Sequence, residues 1–221
     1  MKPIEVLARA TTPDGEEMKL WRRDGVWSLD VGGAELMSSR AHGSERALAT
    51  LACAPIADRK RPRVLVGGLG FGFTLRAALD ALPAAGEVVV AELFELVIEA
   101  NRGEAGELAA RPLDDPRTRL DPRDVHDALA GGPFDAILLD VDDGPEAFTL
   151  QRNRRLYSAS GLARISRSLA PGGILAVWSA GPDDAFLARL KQAGFLARVE
   201  TARGMDGGRG NRHTIFLAQK P

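Results

Sequence analysis

The sequence is poor in several residue types, and each scarcity removes a class of protein. One cysteine, Cys53, stands among 221 residues. That excludes an intrachain disulfide framework and any multi-cysteine zinc site, and it fits a reducing compartment, the cytoplasm. Aromatic residues make up 5% of the chain, too few for a base-stacking platform. Neither charge sign is in excess, with 29 Lys and Arg against 30 Asp and Glu, so the basic surplus of a dedicated nucleic-acid binder is missing. The longest apolar runs, such as GILAVW at 173–178, are far short of a membrane span. Residues 1–15 lack the basic start and long apolar stretch of a signal peptide. These absences predict a cytoplasmic protein with neither a nucleic-acid nor a membrane partner.

What is present is a chain 45% hydrophobic, enough for a sizeable core in one domain with a small appendage. From about residue 61 short apolar runs alternate with helical patterns. VLV (64–66), EVVVA (87–91), a weak candidate at 117–120, FDAILL (134–139), 174–178, 195–200 and 214–218 read as strands. Residues 74–82, 93–102, 125–129, 160–169 and 183–193 read as helices. Such alternation predicts an α/β fold whose mostly parallel sheet is buried on both faces. Residues 1–58 read as a separate small β-rich segment, with strands near 18–20, 26–31 and 35–37, followed by a helix at 44–51. Residues 59–221 form the main domain. The basic run RKRPR (59–63) reads as a solvated linker, and the Gly-rich stretch 204–211 as a long turn.

The strongest feature is VLVGGLGFGFTLR at 64–76. A strand runs into Gly68, Gly70 and Gly72 and then into a helix. Glycines let the backbone turn sharply and approach a ligand, and the free N–H groups at the helix start face it. Glu92 follows the next strand, where a carboxylate can accept two ribose hydroxyls. Asp124 follows the third, within reach of an adenine amino group or as the cap of the next helix. The fourth strand ends in Asp140-Val141-Asp142-Asp143. Carboxylates concentrated at a strand end suit a cationic substrate, or a base that takes a proton from an amine nucleophile. No histidine or second carboxylate motif accompanies them, so no metal is expected. The polar run Ser38-Ser39-Arg40-Ala41-His42-Gly43-Ser44-Glu45 offers Arg40 and His42 to a substrate carboxylate, or His42 as a base near neutral pH. His126 and His213 have no partner pattern and read as structural.

Residues from about 29 to 180 resemble the spermidine synthase (polyamine aminopropyltransferase) family, which shares the class I S-adenosylmethionine methyltransferase fold. The run at 64–76 matches that family's VLVIGGGDGGTLRE-like segment without a gap. Asp115-Pro116-Arg117 followed by Asp124 repeats its DPR…D spacing, and Leu156-Tyr157-Ser158 and the stretch at 169–175 continue the match. The resemblance implies a Rossmann-like fold with a mostly parallel seven-stranded sheet, helices on both faces and a small N-terminal β-structure. It implies that Gly68, Gly70, Gly72, Glu92 and Asp124 seat an S-adenosyl nucleoside, the co-substrate being S-adenosylmethionine or its decarboxylated form. Asp140 falls on the family's catalytic base and Asp143 on the acid that holds the polyamine. Glu45 carries over from its Tyr-His-Glu as a substrate-binding residue, and a homodimer is usual.

Two features depart from the family. Phe71 stands where an acid holds the ammonium of the aminopropyl chain, and Gly43-Ser44 replace Tyr-His. Three readings result: aminopropyl transfer to a small-molecule amine, methyl transfer from S-adenosylmethionine to a small molecule, and a non-catalytic nucleoside-binding paralogue. A preference for the carboxylated donor would need a cationic partner such as Arg40 or Arg76. A Rossmann-type dehydrogenase fits the glycine loop but not the acidic loop or the DPR…D spacing.

Overall fold

A computed structural model describes residues 3–141, 144, 145, 151–205 and 209–221. Four short strands come first: β1 (Glu5–Thr11), β2 (Glu17–Arg23), β3 (Val26–Val31) and β4 (Ala34–Ser38). They form an antiparallel sheet in chain order. The turns between them use Gly15, Gly25, Gly32 and Gly33, all with positive φ. β1 is absent from the sequence expectation because none of it is fully buried: Leu7, Ala8 and Ala10 pack only half-buried against the core.

The main unit comes next: α1 (Gly43–Cys53), β5 (Arg63–Gly67), α2 (Phe73–Ala81), β6 (Glu87–Ala91), α3 (Glu95–Arg102), β7 (Thr118–Asp121), α4 (Val125–Ala128) and β8 (Phe134–Leu139). After these come a 3-10 turn at Gln151–Arg155, α5 (Ala159–Ser168), β9 (Leu169–Ser179), α6 (Asp184–Gln192), β10 (Leu196–Met205) and β11 (Arg209–Gln219). The seven strands are ordered β10-β11-β9-β8-β5-β6-β7. Neighbours from β9 to β7 are parallel, and β11 lies antiparallel between β9 and β10. The last strand thus inserts one place from the edge, unlike the 3-2-1-4-5-6 order of dinucleotide-binding sheets.

Alternation along each strand divides the core between the two faces. Val64 and Val66 of β5 and Leu138 of β8 pack with α1, α2 and the small sheet. Leu65, Ile137 and Leu139 pack with α4, α5 and α6. The α1 helix lies against α2 and across β8, β9 and β10, with Leu48, Ala49, Ala52 and Cys53 fully buried. It therefore packs on the large sheet.

Three local expectations change. The Pro171-Gly172-Gly173 segment does not precede the strand expected at 174–178, which starts at Leu169. It is a bulge inside β9, where Leu169 faces Phe134 and Ile174 faces Ala136. The basic run 59–63 is tied down: Arg59 pairs with Asp135 and donates to the carbonyl of Pro171, and the Arg63 guanidinium reaches Glu87 at 3.0 Å. The described ends of the Gly-rich stretch, 204–205 and 209–211, continue β10 and β11.

Candidate active site

The chain leaves β5 for β6 on one side and enters β8 on the other. Sheet order reverses between β5 and β8, where open α/β sheets bind ligands beyond the strand ends. Gly67 and Gly68 occupy that point. The amide of Asp140 donates to the carbonyl of Gly67 at 2.9 Å, and the amide of Gly68 donates to Ala91 at 2.9 Å. Gly68 has φ +89°, and a Cβ there would lie 2.2 Å from the carbonyl oxygen of Asp140. Only glycine allows the two strand ends to approach this closely.

A cleft of about 610 Å³ opens over these ends. Gly68, Gly70, Glu92, Asp124 and Asp140 line it, so five of the expected site residues, drawn from four strand ends, converge on one cavity. Its far wall comes from the small sheet through Leu29, Leu36 and Met37, and Asn153 completes it. The N-terminal strands are thus part of the site. Gly72 lies behind the loop at the N-terminus of α2, with φ +85° and packed against Pro112, Asn101 and Ala109.

Glu92 is buried at 7% exposure. One carboxyl oxygen accepts the amide of Leu69 at 3.0 Å and the other the amide of Phe94 at 2.8 Å. Burial raises its pKa, while the amides of Phe94, Leu69, Leu93 and Gly70 pull it back. The side chain clamps the glycine loop to the second βα unit and lines the cleft. Asn101, missed in the sequence, holds the same loop from α3. Its amide donates to the carbonyls of Gly70 at 2.8 Å and Val97 at 2.9 Å. An asparagine on the apolar stripe of Val97 and Ile98 was the available signal.

Asp124 caps α4, accepting the amide of His126 at 2.8 Å. Its second oxygen pairs with Arg155 at 2.7 Å. Both oxygens are therefore oriented before any ligand arrives. Each keeps a lone pair for a further donor.

Asp140 continues the β8 alternation toward α1 and α2. Its Oδ2 accepts the Thr74 hydroxyl at 2.5 Å. Burial pushes the carboxyl up to about 6 against the opposing effect of that hydrogen bond. Glu45, from the first turn of α1, is its electrostatic neighbour. Burial, then the charge of Asp140, lift Glu45 well above the usual carboxylate range. Its Oε2 is buried with no hydrogen-bond partner. Ionisation of one carboxyl opposes the other, which is the environment of a carboxylate that binds protons near neutrality.

Other expected residues lie elsewhere. His42 does not line the cleft. Its ring stacks on Phe73 with centroids 4.2 Å apart, in a separate groove between α1 and α2 that also contains Arg46 and Arg76. Arg76 is paired there with Asp80 at 2.7 Å and Asp115 at 3.6 Å. Phe71 is 4% exposed and packed in the core, so its ring lines no part of the cleft. Asp143 lies outside the described residues. His126 pairs with Asp127 at 3.5 Å, and His213 packs against the Trp178 ring. Among the described residues no group of His, Cys, Asp and Glu is arranged to hold a metal, and no helix is long and apolar enough to cross a membrane.

No family model matches the sequence. Over 132 residues, 58% of this chain, it is 33% identical to polyamine aminopropyltransferases of Mycobacterium tuberculosis and Mycobacterium bovis, covering 24% of their length. The chain thus spans about a quarter of the curated relatives it matches. A solved spermidine synthase in complex with the transition-state analogue AdoDATO superposes with a TM-score of 0.73 at 18% identity, over 98% of this chain and 73% of that one. The chain has the spermidine-synthase fold. The synthase from Thermotoga maritima gives 0.72 at 19% identity, with the same coverage of both chains. Human methyltransferase-like protein 13 in complex with SAH gives 0.62 at 22% identity, over 81% of this chain and 82% of that one. The class I methyltransferase-like architecture and the small N-terminal sheet expected from the sequence are both present.

Proposed function

We propose that the chain is a spermidine-synthase-like transferase. It takes an aminopropyl group from decarboxylated S-adenosylmethionine and delivers it to a small-molecule amine. The observation that carries this reading is the placement of Asp140, with its carboxyl raised to about 6, at the rim of the cleft that also holds Gly68, Glu92 and Asp124. Similarity to the polyamine aminopropyltransferases and to the synthase solved with AdoDATO supports it.

The glycine loop and Glu92 hold the ribose, and Asp124 accepts from the adenine amino group. The sulfonium is a good leaving group, so positioning in line supplies most of the acceleration. The amine nitrogen bonds to the propyl carbon as the carbon–sulfur bond breaks, releasing methylthioadenosine. The proton lost from nitrogen passes to Asp140, which is mostly ionised at neutral pH yet basic enough to accept it. Glu45 and Asp143 provide further acidic groups for a cationic acceptor. The buried free thiol of Cys53 suits a cytoplasmic setting.

One observation favours a second reading. Phe71 is folded into the core, so that position of the glycine loop offers no acid for the aminopropyl ammonium. Methyl transfer from S-adenosylmethionine asks for no such acid. Calorimetric titration with S-adenosylmethionine, its decarboxylated form and methylthioadenosine, with and without putrescine, separates the readings. Tight binding of the decarboxylated donor or of methylthioadenosine, strengthened by putrescine, is expected. Preference for S-adenosylmethionine would move the assignment to methyl transfer, and absence of binding by all three would overturn both.

A further inference from the structure

The N-terminal sheet has two faces. Leu20, Leu29 and Met37 lie on the inner one, toward the core and the cleft. The outer face carries a row of directly opposed residues, Trp21, Ser28 and Ser38. Two positions along β2 and β3 comes the opposed pair Arg23 and Val26. Alternation puts all five on one side. With Glu35 and Arg40 they line a second cavity, also of about 610 Å³. Arg40 is the residue whose polar neighbourhood in the sequence suggests a carboxylate partner. It lines this cavity and not the cleft over the strand ends.

The other described cations of this sheet are paired, Arg9 with Glu17, Lys19 with Asp30, and Arg22 with Glu5 and Glu104. Arg23 and Arg40 have no carboxylate partner among the described residues. The Arg23 guanidinium lies over the Trp21 ring, 5.8 Å from its centroid. Ser28 is 1% exposed and lines the cavity, yet its hydroxyl has no hydrogen-bond partner among the described residues. Buried hydroxyls are ordinarily bonded, so an acceptor entering the cavity would complete it. Trp21 is already fixed, its indole N–H donating to Asp30 at 2.8 Å, and with Val26 it supplies apolar surface.

Charge selects the ligand. Lys19 neutralises Asp30 at 2.8 Å, which leaves two guanidiniums against the one carboxylate of Glu35, a net charge of +1. A carboxylate balances that charge, whereas a phosphate dianion overshoots it. Guanidinium planes also match the two oxygens of a carboxylate.

We infer that the outer face of the N-terminal sheet is a second binding site, for a monocarboxylate carried on an apolar or aromatic body. The carboxylate sits with Arg23 and Arg40 and accepts the Ser28 hydroxyl, while the body rests on Trp21 and Val26. The site lies across the sheet from Leu29 and Met37, so the inference stands apart from the transferase reading.

Proton–nitrogen correlation spectra of the full chain test it through the Trp21 indole N–H, assigned with W21F. Benzoate is the probe, with benzamide as its neutral counterpart and inorganic phosphate as the bare anion. Benzoate is expected to shift the Trp21 signal saturably. R23A and R40A should each weaken its binding about tenfold or more, with the remaining signals in place to show a folded chain. Benzamide and phosphate should give no saturable shift over the same range, and excess methylthioadenosine should leave benzoate affinity unchanged. The assignment is overturned by a Trp21 signal that benzoate does not move, by benzamide or phosphate binding as tightly as benzoate, or by affinity indifferent to both arginine variants. Displacement of benzoate by methylthioadenosine would put the probe in the cleft and overturn it as well.

Discussion

The hydroxyl of Thr74 donates to Oδ2 of Asp140 at 2.5 Å, linking the first turn of α2 to the end of β8. The bond favours the ionised carboxylate and holds its pKa below the value that burial alone would give. In T74V the carboxyl should titrate higher. If Asp140 is the base, the acidic limb of the kcat/KM profile should lie near pH 6 in the wild type. It should move upward by up to about one unit in the variant. A pH–rate profile of both proteins checks this, and an unmoved limb would assign the titration to another group.

Asp140→Asn should separate stability from chemistry. The folded protein holds the Asp140 proton more tightly than the unfolded chain, since the pKa rises from 3.8 to about 6. The folded state therefore binds more protons between those values, and stability falls as pH rises through that window. Above pH 6 the ionised buried carboxylate costs about 3 kcal/mol relative to the unfolded state. Replacing it with an amide should raise Tm at pH 7.5 by several degrees and lower transfer at least about a hundredfold. Calorimetry and a product assay on one preparation give both results.

Gly68→Ala should damage fold and binding together. A methyl group there meets the Asp140 carbonyl at 2.2 Å, on a backbone with φ +89°. The combined clash and left-handed strain should cost at least about 2 kcal/mol, read as a lower denaturation midpoint in urea. Nucleoside affinity should fall with it.

Asp124→Asn keeps the helix cap, because asparagine accepts the His126 amide as well as aspartate does. It loses the charged pairing with Arg155 and one acceptor site for an adenine amino group. Affinity for methylthioadenosine should drop about tenfold with little change in Tm. Calorimetry measures the first and a thermal melt the second.

Cys53 should be chemically silent in the native state. It is fully buried at the end of α1, and burial pushes its thiol up to about 12. Labelling by a thiol reagent at pH 8 should proceed at the rate of unfolding and be complete within minutes in denaturant.

Much of the architecture was legible because β5, β6 and β8 are continuous apolar runs that only a sheet buried on both faces requires. The glycine loop and the acids after the strands could be placed from the same runs, since the end of a strand locates the residues just beyond it. Less visible were residues whose role depends on distant packing. Thr74 reads as an ordinary helix residue until β8 brings Asp140 beside it. Leu36 and Met37 read only as part of a short strand until the small sheet folds over the cleft. The position of His42 was not legible either. Its polar neighbourhood suggests a site, but the turn entering α1 directs the ring onto Phe73 and away from the cleft.

Asn101 and Glu92 grip the glycine loop from the second βα unit through two hydrogen bonds, at Gly70 and Leu69, while bonds to Val97 and Phe94 fix the two side chains to their own unit. The conformational freedom of that loop is therefore surrendered when the chain folds and not when a ligand arrives. Association with a nucleoside should behave as docking onto a rigid template, with fast capture and little ordering entropy. The same economy makes the seat vulnerable from behind. A lesion in α3, touching neither ligand nor loop, would leave the cleft present in outline but floppy, and the loss would register as a binding entropy before it registered as a change of shape.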